Sequence, residues 1–153
     1  MSTAIEFRNV SFAVPQGRLL LDTISLKLEE GSTTAILGRS GSGKTTLLRT
    51  VNRMVEPSDG DVMVHGTNIR NVDLIALRRA TGYVIQETGL FPHFTVERNV
   101  GVVLEAQGKP RDERLGRAAE LLSAVGLDAA KYASRLPHQL SGGQRQQIGR
   151  AHV

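Results

Sequence analysis

Hydrophobic and polar positions along the chain predict short strands that alternate with helices. Alternation over Ile5–Phe7 and over Leu19–Leu28 predicts two strands, the second of them very apolar. The run Thr33–Leu37 predicts a short strand of the kind that is buried on both faces. Two further strands are predicted over Asp61–Gly66 and Tyr83–Ile85.

The helical pattern follows these strands. A glycine-rich loop leads into a helix that is expected to run to about Met54, and Asp73 is a candidate N-cap for the next helix. Apolar residues at helical spacing predict the remaining helices over Leu74–Ala80, Val96–Gln107, Asp112–Val125 and from about Ser141. Strands that alternate with helices indicate an α/β domain, here with an antiparallel N-terminal part.

Length and composition exclude several function classes. The 153 residues suffice for one compact domain, and the absence of cysteine excludes disulfides, Cys-ligated zinc and thiol catalysis. The start has no signal-peptide pattern, and no apolar run is long enough to span a bilayer, so a cytoplasmic protein is expected. The net charge of +4 arises entirely in residues 129–153, which contain no acid. This uneven distribution argues against a nucleic-acid-binding face.

The glycine-rich loop carries the first chemical signal. Residues 38–45 fit the pattern G-x-x-x-x-G-K-[ST], in which small residues let backbone N–H groups surround a phosphate at a helix N-terminus. In that pattern Lys44 reaches the β- and γ-phosphates of a nucleotide, and the Thr45 hydroxyl is a ligand of Mg²⁺. The predicted phosphate-binding residues are Gly38, Arg39, Ser40, Gly41, Ser42, Gly43, Lys44, Thr45 and Thr46.

A second glycine-containing motif lies about a hundred residues further on. It consists of Leu140, Ser141, Gly142, Gly143 and Gln144. Ser141 offers a hydroxyl at the start of a helix, and the glycine pair exposes backbone N–H groups there. A glycine pair in a helix costs about 1 kcal/mol per residue relative to alanine, so it calls for a reason.

Together the two motifs resemble those of the ATP-binding cassette (ABC) ATPases, in which LSGGQ is the signature. The resemblance covers essentially the whole chain and implies a P-loop NTPase core with an antiparallel N-terminal β part and an α-helical signature subdomain. It also implies ATP and Mg²⁺ as cofactors. Gln86 matches the family's Q-loop glutamine, which contacts Mg²⁺ or the attacking water and senses the membrane partner.

The resemblance further implies a head-to-tail dimer, either of two copies or with a paired ABC subunit. ATP on the loop of one subunit then meets Ser141, Gly142 and Gly143 of the other. Transmembrane permease subunits would hold the protein on the inner face of the plasma membrane, and a solute-binding protein would act indirectly. The implied division of the chain is 1–86 for the core, 87–140 for the helical subdomain and 141–153 for the signature helix.

The sequence departs from the family pattern at the adenine contact. Family members place an aromatic residue, often tyrosine, shortly after the first strand segment to stack on adenine. Here Val14 stands at that position, and Phe12 lies two residues before it on the same face of a strand. Either Val14 or Phe12 is therefore expected at the adenine.

A larger departure follows the signature. The family continues into a strand that ends in Asp-Glu, where the aspartate binds Mg²⁺ and the glutamate polarises water. This chain has no acid after Asp128 and ends at Val153, so we expect a C-terminally truncated cassette that binds ATP but hydrolyses it poorly or not at all. The central strands at residues 35–37 and 84–85 would then lack their neighbours, leaving a marginally folded, aggregation-prone chain.

Which solute is transported is indicated only by local similarity. Residues 51–57 and 83–96 are similar to those of importers for osmoprotectants such as glycine betaine, choline and carnitine. Importers for amino acids, polyamines, sugars and metals share part of this pattern. A non-transport ABC ATPase and an enzymatically silent nucleotide-binding fragment remain the alternatives.

Overall fold

A computed structural model describes residues 2–15, 17–85 and 89–151. The chain folds as two compact units, Met1–Thr81 and Gly82–Val153. Within the described residues, no helix is both long enough and apolar enough to traverse a bilayer.

The first unit is built on a four-stranded antiparallel sheet. Its strands are β1 (Thr3–Ala13), β2 (Leu19–Glu29), β3 (Asp59–Val64) and β4 (Thr67–Asn68), in the spatial order β2-β1-β3-β4. The long strand β1 is central and pairs with both β2 and β3. The predicted antiparallel N-terminal part is thereby confirmed.

Two α-helices complete this unit. They are α1 (Lys44–Val51) and α2 (Leu74–Ala80), with a 3₁₀ turn over Ile69–Asn71 between β4 and α2. The predicted cap of α2 is confirmed, because the Ala76 N–H donates to the Asp73 carboxylate at 2.8 Å. One face of the sheet and both helices share an apolar core made of Phe7, Val10, Leu21, Leu47, Val51, Val62, Ile69 and Leu77.

The second unit is helical. Its helices are α3 (Val96–Ala106), α4 (Arg111–Ala124), α5 (Ala129–Tyr132) and α6 (Gly142–Ala151), with a 3₁₀ turn over Pro137–Gln139 before α6. Helices α3, α4 and α6 pack around a second apolar core formed by Val96, Val100, Ala118, Leu122, Leu127, Leu140, Ile148 and Ala151. The three longer helices match the predicted ones to within a residue or so at their ends, whereas α5 was not predicted.

Two predicted strands are wrong. Thr33–Leu37 and Tyr83–Ile85 belong to no strand, and Leu37 is 90% exposed. A strand exists only as part of a hydrogen-bonded ladder, and the described residues form a single sheet in which neither segment is paired. Their apolar sequences are typical of core strands, but among the described residues no strand forms backbone hydrogen bonds with them in a sheet.

Two element ends also differ from prediction because the backbone turns. Helix α1 ends at Val51 rather than near Met54, since Arg53 takes a left-handed φ of 52° and reverses the chain. The strand predicted over Asp61–Gly66 ends at Val64, because His65 and Gly66 have φ of 45° and 77° and form a tight turn into β4.

Candidate functional site

The glycine-rich loop of the first unit has the backbone form of an anion cradle. Gly41 and Gly43 have φ of 80° and 85°, a conformation that residues with side chains rarely adopt, and Gly43 is the N-cap of α1. The Ser42 N–H closes the loop onto the Arg39 carbonyl at 3.2 Å. Such alternation of left-handed and ordinary residues before a helix turns successive N–H groups toward one point, where an anion binds.

A steric contact explains one of the loop glycines. A Cβ on Gly43 would lie 2.5 Å from the Leu20 carbonyl oxygen, so only glycine lets the loop pass against β2. A Cβ on Gly38 would lie 2.8 Å from the Ser42 hydroxyl, which belongs to a side chain that can turn away. The close approach at Gly43 therefore fixes the position of the loop against β2.

Lys44 places a cation at the loop. Its ammonium donates to the carbonyls of Gly38 and Arg39 at 2.8 and 2.6 Å and lies 3.4 Å from the Ser42 hydroxyl. No acidic residue stands in the first turn of α1, so no side chain there competes with a bound anion for the positive helix end. Thr45 and Thr46 follow in this turn, where backbone N–H groups have no partner within the helix.

The chemistry of the donors fits Mg-ATP. Mg²⁺ is commonly held by one or two protein oxygens together with waters and substrate phosphates, rather than by a protein cage. Thr45 is exposed and supplies one such oxygen, and among the described residues no cluster of His, Asp or Glu forms a separate metal site. Gln86, the second predicted magnesium contact, lies outside the described residues.

The two adenine candidates lie in different surroundings. Phe12 is in β1 and packs, partly buried, against the first apolar core. Val14 follows the strand in a turn, where its N–H donates to the Arg18 carbonyl at 3.0 Å. The side chain of Phe12 is therefore engaged in the fold, while Val14 stands in the loop between β1 and β2.

The signature residues form the start of α6 in the second unit. The Gln144 N–H donates to the Ser141 hydroxyl at 3.2 Å, and the Ser141 N–H donates to the Gln144 side-chain carbonyl at 3.0 Å. This reciprocal pair is a capping box, which fixes the first turn of the helix. Leu140 is buried in the second core just before that turn.

No contact among the described residues requires the glycine pair. A Cβ on Gly142 or on Gly143 would meet nothing within 4 Å, and neither residue has a positive φ. Both are exposed at the N-terminus of α6. Alanine would fit at both positions and would favour the helix, so packing within the described part of the chain does not explain the two glycines.

One contact at the signature was missed by sequence reasoning. The Gln144 side-chain N–H donates to the Tyr132 hydroxyl at 3.2 Å, and the guanidinium of Arg135 lies 4.9 Å from the centre of the Tyr132 ring. Tyr132 is in the short helix α5, which the sequence pattern did not predict. No spacing rule joins residues 132 and 144, because the contact comes from the packing of two helices.

A separate cavity of about 290 Å³ lies between α3 and α4. At its wall Arg98 and Arg114 both donate to Glu105, with shortest N–O distances of 3.0 and 2.7 Å. The hydrogen bond from Arg98 is the main cause that holds the pKa of Glu105 below its ordinary value, and the one from Arg114 acts in the same direction. The cavity contains none of the predicted site residues, so we treat it as a surface ion cluster.

Comparison with known proteins gives the family. The family model described as "ABC transporter" matches residues 21–153. The choline transport ATP-binding protein OpuBA of Bacillus subtilis (strain 168) is 41% identical over 145 residues, which are 95% of this chain and 38% of that protein. The osmoprotectant import ATP-binding protein OsmV of Salmonella typhimurium is 44% identical over 129 residues, which are 84% of this chain and 34% of that protein.

A solved structure gives the fold. The ATP-binding cassette MJ0796, in a dimeric post-hydrolysis state bound to ADP and Pi, superposes with a TM-score of 0.84 at 30% identity. The match covers 97% of this chain and 68% of that one. The chain thus spans only about a third of the length of the two curated relatives. Since the family model covers most of the sequence and the fold agrees, the chain belongs to the ABC transporter family.

Proposed function

We propose that the chain is the ATP-binding part of a subunit that energises import of a small solute. The observation that carries this proposal is the closed anion cradle at residues 38–43, with the Lys44 ammonium at 2.8 and 2.6 Å from its carbonyls. A cradle of backbone N–H groups, a mobile cation and a helix N-terminus together suit a nucleotide polyphosphate.

Each residue of the loop has a role in this proposal. The N–H groups of residues 38–46 surround the phosphates, and Lys44 moves from the loop carbonyls to the β- and γ-phosphates. Thr45 and Gln86 hold Mg²⁺, which neutralises phosphate charge when bound. Of the two adenine candidates we favour Val14, because Phe12 is packed against the apolar core.

The signature residues act on a second subunit in this proposal. Gly142 and Gly143 leave the first N–H groups of α6 open, and no contact within the described chain requires glycine there. We propose that Ser141, Gly142 and Gly143 receive the ATP of a partner cassette, a second copy or a paired subunit. The dimeric state of MJ0796 with ADP and Pi supports this arrangement.

Hydrolysis is expected to be weak in this polypeptide. Metal-assisted phosphoryl transfer requires a carboxylate for Mg²⁺ and a group that positions water, and the sequence has no acid after Asp128. We expect calorimetric titration to show Mg-ATP binding by the 153-residue chain, while phosphate release stays near background. Absence of ATP binding would contradict the nucleotide assignment, and robust Mg²⁺-dependent turnover would contradict the expected loss of hydrolysis.

The solute that we propose is an osmoprotectant of the quaternary-amine class, taken in through permease subunits at the inner face of the plasma membrane. Two relatives named for choline transport and osmoprotectant import, at 41% and 44% identity, support this class. We also propose the three-part division of the chain into a core at 1–86, a helical subdomain at 87–140 and a signature helix at 141–153.

A domain graft tests the solute class. The aligned 145 residues of the choline transport protein would be replaced by the matching part of this chain, and uptake of labelled choline measured in cells. We expect uptake from the graft but none from the same graft with Lys44→Ala. An equivalent graft into an amino-acid importer serves as the comparison. Uptake only in that second host would contradict the osmoprotectant assignment.

A further inference from the structure

Arg78 of α2 reaches across to the C-terminal end of α1. Its Nε donates to the Asn52 carbonyl at 3.2 Å, and its Nη2 donates to the Arg53 carbonyl at 3.0 Å. Asn52 is the C-cap of α1, so one guanidinium holds the two carbonyls at which that helix gives way to the following turn.

These carbonyls need an outside donor. The last carbonyls of a helix have no partner within it, and here the chain leaves α1 sharply. The N–H groups of Met54 and Val55 both turn back to the Arg49 carbonyl, at 3.0 and 3.1 Å. The Asn52 and Arg53 carbonyls lie beyond that turn, where Arg78 satisfies them from a different helix.

The backbone position of Arg78 is fixed by the packing of its own helix. Leu77, the residue before Arg78 in α2, is buried in the same apolar core as Leu47 and Val51 of α1. The guanidinium is therefore anchored next to the residue that packs against α1. Its positive charge also stands at the negative end of the α1 dipole.

The length of α1 connects this contact to the phosphate loop. Helix α1 has only eight residues, which corresponds to roughly 12 Å. Lys44 and the open N–H groups stand at its first turn, and Gly43 is locked against the Leu20 carbonyl. Contacts at both ends of so short a helix restrain its tilt, so the Arg78 contact bears on the direction of the first turn.

We propose that Arg78 is a positioning residue for the phosphate loop. By holding the carbonyl end of α1 it fixes the direction in which Lys44 and the first-turn N–H groups meet the nucleotide phosphates. This inference rests on the proposed nucleotide function of the same loop.

The test compares the parent chain with four variants by calorimetric titration with Mg-ATP and with inorganic pyrophosphate, which probes the loop without adenine. Arg78→Ala removes both hydrogen bonds. Arg79→Ala removes the same charge from the next residue of α2, whose side chain is exposed and has no hydrogen bond or ion pair within the described part of the chain. Asp73→Ala weakens α2 through its cap without touching α1. Thermal unfolding of each chain without ligand supplies its stability.

We expect Arg78→Ala to weaken ATP and pyrophosphate binding by the same factor, about threefold to tenfold. Arg79→Ala and Asp73→Ala are expected to stay within about twofold of the parent chain, and Arg78→Lys to recover part of the loss through its retained charge.

Two results would overturn the inference alone. One is unchanged affinity in Arg78→Ala, and the other is an affinity loss that follows thermal stability equally in Arg78→Ala and Asp73→Ala. A parent chain that binds neither ATP nor pyrophosphate would instead overturn the proposed nucleotide function, and this inference with it.

Discussion

Lys44→Ala is expected to lower the affinity of the chain for Mg-ATP by about 100-fold, the larger of the effects that we expect at the loop. The ammonium now rests on the carbonyls of Gly38 and Arg39, so it lies at the rim of the cradle and can move to a phosphate without a change in the backbone. A 100-fold loss corresponds to about 2.7 kcal/mol. Hydrogen bonds to charged groups contribute about 1.5–3 kcal/mol each, so the net loss of one to two such bonds to phosphate oxygens accounts for it.

The control for this prediction is Lys27→Ala. Lys27 lies in β2 and forms a surface ion pair with Glu6 at 3.1 Å, so its removal changes net charge equally without touching the loop. Calorimetric titration of both variants measures the difference. If the two variants bound Mg-ATP equally well, Lys44 would have no role at the phosphates.

The conformation of the glycine-rich loop was predictable because its contacts are local. The positions of Gly41, Gly43 and Lys44 are fixed by a left-handed turn, a close approach and a helix start, all within four residues. The same holds for the N-cap at Asp73 and for the start of α6, where Ser141 and Gln144 are three residues apart. Contacts between residues so close in the chain produce a characteristic residue spacing, which can be recognised in the sequence itself.

The two wrongly predicted strands depend on contacts that are not local. The apolar run at Thr33–Leu37 has the composition of a buried strand. Strand pairing, however, depends on a second strand, which can come from any part of the sequence. Only Ile36 of this run is partly buried against the first core, while Leu37 is 90% exposed. Composition therefore predicted the secondary structure that the segment favours. Whether a strand forms depends on hydrogen-bonded pairing with another strand, which composition does not determine.

Contacts between helices were also beyond prediction. Arg78 binds carbonyls 25 and 26 residues away, and Gln144 binds Tyr132 in a helix of four residues. Arg78 and Arg79 are indistinguishable in the sequence pattern, and only the packing of α2 against α1 gives one of them a function. Positioning residues of this kind require the structure.

The second large effect that we expect comes from substitution of Gly142 and Gly143 in α6. We expect the double change Gly142→Ala and Gly143→Ala to stabilise the chain and, at the same time, to weaken its ATP-dependent association by at least about tenfold. A Cβ at either position meets open space, so the gain is the ordinary one of about 0.4–1 kcal/mol for each glycine replaced in an unstrained position. For a chain of this length the midpoint of thermal unfolding should rise by roughly 3–6 °C.

The two effects separate because they have different causes. The gain in stability depends on the chain alone, whereas in the proposed dimer the N–H groups at the start of α6 approach the phosphates of a partner's ATP, where a Cβ would intervene. Gly116→Ala is the matched control, since Gly116 is exposed in α4 and its Cβ also meets nothing within 4 Å. That variant should be stabilised without any change in association. Light scattering with and without Mg-ATP gives the association, and calorimetry gives the unfolding midpoint. If the double variant associated as the parent chain does, the glycines would not face a nucleotide, and their presence would again lack a reason.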